Sequence, residues 1–104
     1  MDSTQSRDIS KVIENSDGSI SIPLGVPIVR KNQRMESLTV RRPTAAAIAQ
    51  VNFKAVSEGD FRSILPMLYE TTPLVQKEVD EIDCADFVFI AGQVIRSFLQ
   101  RRAV

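Results

Sequence analysis

The stretch from Asp83 to Leu99, DCADFVFIAGQVIRSFL, carries the periodicity that does most to fix the shape of this chain. At about 100° per residue, Phe87, Ala91, Val94 and Phe98 fall on one stripe with Ile90 and Ile95 on its flanks, which predicts an amphipathic helix facing a core. Both ends carry matching signals. Asp83 is placed to act as N-cap, Asp86 sits three residues on in the position of a capping-box acid, and Arg101 and Arg102 fall where the helix dipole favours cations. A second seam runs down the opposite side: Ala85, Phe89, Gly92 and Arg96, at spacings of four, three and four. A solvated polar face would not carry that set.

Upstream, the period changes from helical to alternating. Ile20, Ile22, Leu24, Val26 and Ile28 point one way, and Ser21, Pro23, Gly25 and Pro27 the other, which is the pattern of a strand. Pro23 and Pro27 cannot donate ladder bonds and share one parity, so the strand belongs at a sheet edge. After the polar turn Asn32-Gln33-Arg34, Leu38 and Val40 mark a second strand from Glu36 to Arg41. With Ile28 opposite Leu38, Arg30 would face Glu36 as a cross-strand ion pair. The remaining segments read as short helices. Pro43 is placed to open Thr44 to Val51, and continuation through Phe53 and Val56 is open because these project from another face. Gly59 breaks the chain, and Phe61, Ile64, Leu65 and Leu68 have helical spacing with a kink or restart expected at Pro66. Thr72-Pro73 is read as N-cap and first residue of a helix carrying Val75, Val79 and Ile82. The expected fold is α+β: an N-terminal β-hairpin over about 20–41, then a small bundle of three to four helices, the last over about 83–100.

A chain of 104 residues with 43% hydrophobic content supports one modest core. A single domain over 19–104 is expected, preceded by a flexible polar tail over 1–18 in which Ile9, Val12 and Ile13 are spaced for one or two helical turns. Thirteen basic residues balance thirteen acidic ones, which argues against a general nucleic-acid binder and against a membrane-surface protein held by charge. The charges are unevenly placed. Arg30, Lys31, Arg34, Arg41 and Arg42 stand against Glu36 in one stretch, while residues 70–86 hold six acids against Lys77. Mutual salt-bridged packing and two separate partner surfaces both fit that distribution. Cys84 has no cysteine partner, no apolar run approaches the ~20 residues of a membrane span, and the first nineteen residues lack the apolar centre of a signal peptide. The cytoplasm is the expected compartment.

Chemistry is hard to place in this sequence. With no His and one Cys, the usual zinc, haem and Cys/His nucleophile sets are missing, and carboxylate-bound magnesium or calcium remains open. Glu78, Asp80, Glu81, Asp83 and Asp86 lack the ligand spacing of an EF-hand loop and are read as a solvated helix face with caps. No GxSxG turn or glycine-rich phosphate loop occurs, so catalysis is unsupported and no cofactor is expected. The basic stretch is read as a solvated hairpin tip, with a protein partner as the next reading. For the second seam, Ala85, Phe89, Gly92 and Arg96, two readings stand. One is a partner-binding face whose small residues let another backbone approach; the other is a helix sandwiched between two internal layers.

The order of short motifs is similar to that of one family. A strand with Pro27-Ile28 is followed by LTVRRP at 38–43, LP at 65–66, TTP at 71–73, EVDEID at 78–83 and ADFVFIAGQVIRSF at 85–98. Over roughly residues 20–99 this resembles the small tail assembly chaperones of contractile-tailed, Mu-like bacteriophages and prophages. The resemblance implies a non-enzymatic protein that binds the long helical tape measure protein during tail morphogenesis, acts in the host cytoplasm and is absent from the finished virion. It also implies a possible partner in a longer, frameshifted form of the same chain. A weak homo-oligomer through the hairpin edge is expected. Two alternatives remain: a small tail or head joining component of the particle, and a small DNA-binding regulator using the basic hairpin.

Overall fold

The computed structural model describes residues 11–100, with side chains through residue 98. Arg101 and Arg102, and most of the N-terminal tail, lie outside the described residues. Three antiparallel strands come first: β1 (Ile13–Glu14), β2 (Ile20–Arg30) and β3 (Gln33–Val40), in the order β1-β2-β3. Five helices follow: α1 (Ala45–Ile48), α2 (Phe53–Ser57), α3 (Ile64–Thr71), α4 (Gln76–Asp80) and α5 (Cys84–Val94), the last widening into a π-helical turn over Ile95–Gln100. The α+β expectation holds, with a short strand added at its start. Val12 and Ile13 therefore lead into and join a strand, where helical turns were expected.

Alternation decides which face of the sheet is covered. Ile20, Ile22 and Leu24 of β2 and Leu38 and Val40 of β3 are buried, and Ile90, Ala91, Val94 and Phe98 join them with Ile64, Met67 and Leu68 in one core. Each such side chain taken fully out of water contributes about 1.5–3 kcal/mol. Phe87 is half-buried and meets Phe61 edge to face, with ring centroids 6.3 Å apart.

The hairpin register differs from the expected one. Ile22 pairs with Leu38 and Pro23 with Ser37, but farther out Ile28 pairs with Met35 and Arg30 with Gln33. Between Pro23 and Ile28 the ladder shifts, so β2 spends four residues where β3 spends one. That bulge removes Arg30 from Glu36. Arg30 instead reaches α4, where its Nε donates to Glu78 (2.9 Å) and its guanidinium forms the ion pair.

The bulge is held from the far end of the sequence. Asp86, 1% exposed, accepts the N–H of Gly25 at 2.8 Å and of Val26 at 2.9 Å through its two carboxylate oxygens. It is not the capping-box acid expected of it; Asp83 alone caps α5, accepting from Ala85 N (3.1 Å) and Asp86 N (3.3 Å). The outer edge of β2 is closed as a result. β1 reaches only to Ser21, Pro23 and Pro27 have no N–H, and two of the donors between them belong to Asp86.

Several helix boundaries also differ from the expected ones, each for a local reason. Thr44, not Pro43, starts α1: its hydroxyl accepts from Ala47 N, which leaves Pro43 outside the helix. A second cap at Asn52, accepting from Ala55 N, makes α2 a separate helix. Pro66 sits in the first turn of α3, where its missing N–H has no intrahelical partner to lose, so it neither kinks nor restarts a helix. Thr72 ends α3 rather than starting the next helix, because its hydroxyl donates back to Leu68 O. α4 begins at Gln76, with Glu78 accepting from Val75 N at 3.0 Å.

Two outcomes follow from these contacts. Asp86→Ala leaves two backbone donors of the bulge without their carboxylate and lowers unfolding stability by about 3 kcal/mol in urea titration, whereas Asp86→Asn, keeping one acceptor oxygen, loses about half of that. The Arg30 guanidinium, followed by the Val75 N–H, lowers the Glu78 pKa from 4.5 to about 2. Because the folded value lies below the unfolded one, this stabilisation is complete above about pH 4.5 and is lost as pH falls toward 2. The melting-temperature gap between wild type and Arg30→Gln is therefore constant from neutral pH to about 4.5 and closes by about pH 2.

Candidate functional site

The outer side of α5 is the surface that needs an explanation. An isolated helix face turned to water normally carries charge, because charged side chains cost nothing there and apolar ones gain nothing. Here Cys84, Ala85, Val88, Gly92 and Arg96 are exposed, with half-buried Phe89 packed against the core from among them. Val88 leaves half of its surface in water. Between Cys84 and Arg96 this face contains no charged side chain. The seam Ala85, Phe89, Gly92 and Arg96 thus lies on the outside, and the alternative of a helix sandwiched between two internal layers does not describe it.

Gly92 gives the seam its shape. A Cβ built at Gly92 meets no atom within 4 Å outside the helix's own backbone, so nothing within the fold requires glycine there. Its effect is to lower the surface between Phe89 and Arg96 to bare backbone, the condition under which a second backbone approaches closely. Toward its C-terminal end the seam opens into a hollow of about 180 Å³ lined by Val12, Glu14, Gln93, Arg96 and Ser97. Val12 and Gln93 bring apolar and amide surface to it, and Arg96 a cation.

The charged stretches are largely spent inside the fold. Of the basic stretch, Arg30 is paired with Glu78, Arg34 with Glu36 (3.2 Å), and Arg41 donates to the Glu70 carbonyl. Mutual packing of the two charged regions therefore accounts for much of their segregation. The acids of 70–86 diverge: Asp80 accepts from the Tyr69 hydroxyl at 2.6 Å, Glu81 pairs with Lys77, Asp83 caps and Asp86 is buried. Among the described residues no group of three or more His, Cys, Asp or Glu side chains could hold a metal ion. No helix among them is long and apolar enough to cross a membrane.

Comparison with known proteins finds two similar chains. The chain is 29% identical over 85 residues to tail assembly protein E of Escherichia phage P2, covering 80% of this chain and 92% of that one. The chain is thus similar to a phage tail assembly protein. It is also 29% identical over 76 residues to tail assembly protein E′ of the same phage, covering 71% of this chain and spanning about half of that relative, 54%. No protein-family model matches, and no solved structure matches. The resemblance drawn from the motif order is thus borne out at the level of tail assembly proteins.

Of the residues this tail assembly protein-like chain was expected to use, all four lie along one side of α5, with Phe89 set deeper than the other three. The sequence reading missed Val88 and the hollow beside Arg96. Val88 was legible, since it falls three residues from Ala85 and four from Cys84 and Gly92, on the same face; the hollow was not, because it needs the segment at β1 beside the end of the last helix. If Gly92 has no role inside the fold, Gly92→Ala should raise stability by about 0.5–1 kcal/mol through helix propensity alone, read as a higher urea midpoint with unchanged slope. A loss of stability would show that the bare backbone serves the isolated chain after all.

Proposed function

We propose that this chain is a non-enzymatic tail assembly chaperone that binds the tape measure protein during phage tail morphogenesis, through the outer face of α5. The observation that carries the reading is the conjunction of its likeness to tail assembly protein E, over 92% of that relative, with an exposed helix face free of charge from Cys84 to Gly92. A chaperone for a long helical client has to cover apolar surface reversibly. A shallow, apolar, backbone-lined face with one cation at its end does this: Val88 and Phe89 supply apolar contact, Ala85 and Gly92 let the client helix sit close, and Arg96 fixes its direction by charge. In this reading Ala85, Phe89, Gly92 and Arg96 are the partner-binding residues. The protein works in the host cytoplasm, leaves before the virion is complete and needs no cofactor. A longer frameshifted product with the same N-terminal portion is a second expected partner.

Co-expression with the tape measure protein and affinity purification test this directly. Wild type retains the tape measure protein in the soluble fraction, and Gly92→Leu, whose Cβ meets no atom within 4 Å outside its own helix backbone, loses it while keeping the wild-type circular dichroism spectrum. The binding loss should amount to about 1–3 kcal/mol, the range of a central interface contact. Retention by wild type and Gly92→Leu alike would keep the function and move the site elsewhere. A tape measure protein that is soluble alone and never retained would overturn the reading.

A further inference from the structure

A second surface lies where the segment after β3 meets the end of the last helix. Arg42, Pro43, Thr44, Ala45, Ile48 and Phe98 line a hollow of about 240 Å³, room for one large apolar side chain. Its floor is Phe98 and half-buried Ile48, and the α1 surface beside it is built from exposed Ala45, Ala46 and Ala49. Four-carbon stems and charges are missing from that helix, so a partner can approach it without displacing long side chains.

Arg42 stands at the rim, exposed, with its guanidinium carbon 5.8 Å from the centroid of the Phe98 ring. Unlike Arg30 and Arg34, it has no carboxylate partner among the described residues. A cation held over an aromatic face is kept in place by the ring while its N–H groups stay available to an anion.

We infer that this hollow is a second docking point for the partner protein, taking a large apolar side chain from a helix that carries a carboxylate beside it for Arg42. The inference rests on the partner reading above and adds to it where a separate part of the partner is held and what chemistry that part has. Two separate contacts on one small domain let it grip a long helical client at two points along its length, and the second contact multiplies the retention given by the first.

Binding of immobilised tape measure protein by wild type, Arg42→Gln, Arg42→Glu and Ala45→Trp, the last filling the hollow from its exposed wall, tests this. Melting curves and far-ultraviolet spectra monitor the fold of each. Ala45→Trp should weaken binding about tenfold, as should Arg42→Gln, and Arg42→Glu should weaken it about tenfold more, because a partner carboxylate would then face a like charge. Equal binding by Arg42→Gln and Arg42→Glu would remove the carboxylate from the inference, since loss of stacking alone does not distinguish them. Wild-type binding by all three variants would overturn the second docking point while leaving the partner reading intact. If wild type itself fails to bind, the partner reading fails and the docking point falls with it.

Discussion

The carboxylate of Asp86 is the contact on which the rest of the architecture depends. A bulge of four residues against one opens the β2–β3 ladder and turns two backbone donors toward the Asp86 carboxylate at a partly buried site. Left alone, each such donor costs about 1–3 kcal/mol, enough together to abolish much of the stability of a domain this small. Asp86 resolves both with one side chain, and in doing so it fixes where α5 lies along the sheet. Ile90, Ala91 and Val94 then follow onto Ile20, Ile22 and Leu24 because helix and strand have been pinned at one point. The bulge, the ion pair of Arg30 with Glu78 and the outward seam of α5 are therefore coupled. Straightening β2 would return Arg30 toward Glu36, free Glu78 from its partner and leave Asp86 buried without donors.

What could be read in the sequence was local. Asp83 as a cap, the alternation of Ile20 to Leu24 and the stripe from Ile90 to Phe98 rest on residues within a few positions of one another, and all are present in the structure. The misreadings of Asp86 and of the hairpin register share one cause, which is distance along the chain; those of the helix ends are local. Nothing near Asp86 hints that its partners are Gly25 and Val26, and nothing near Ile28 shows that the ladder slips before reaching Met35. Thr72-Pro73 looks like the start of a helix, but Thr72 is already engaged with Leu68 behind it. The seam was visible as spacing alone. Its exposure follows from the core taking the other side of α5.

Charge placement follows the same logic. Segregating bases to 30–42 and acids to 70–86 looks, in one dimension, like two binding patches. In three dimensions Arg30 pairs with Glu78 on α4 and Arg41 with the Glu70 carbonyl, while Arg42 and Arg96 are exposed cations adjoining the two apolar surfaces. In the proposed partner reading, specificity is then carried by few charges against a neutral background. That arrangement suits a client whose identity must be checked but whose release must be easy.

The joining of Asp86 to Gly25 and Val26 also has a consequence for the order of events at synthesis. The sheet is made first, and its apolar face waits for a helix encoded at the other end of the chain. Until α5 emerges, Ile20, Ile22, Leu24, Leu38 and Val40 have only partial cover, and the bulge donors have no acceptor. The chain therefore commits to its fold late and nearly all at once, as expected where the decisive contacts are long in sequence. A protein whose own apolar face is exposed until its last residues appear begins its existence in the condition of the clients it is proposed to serve.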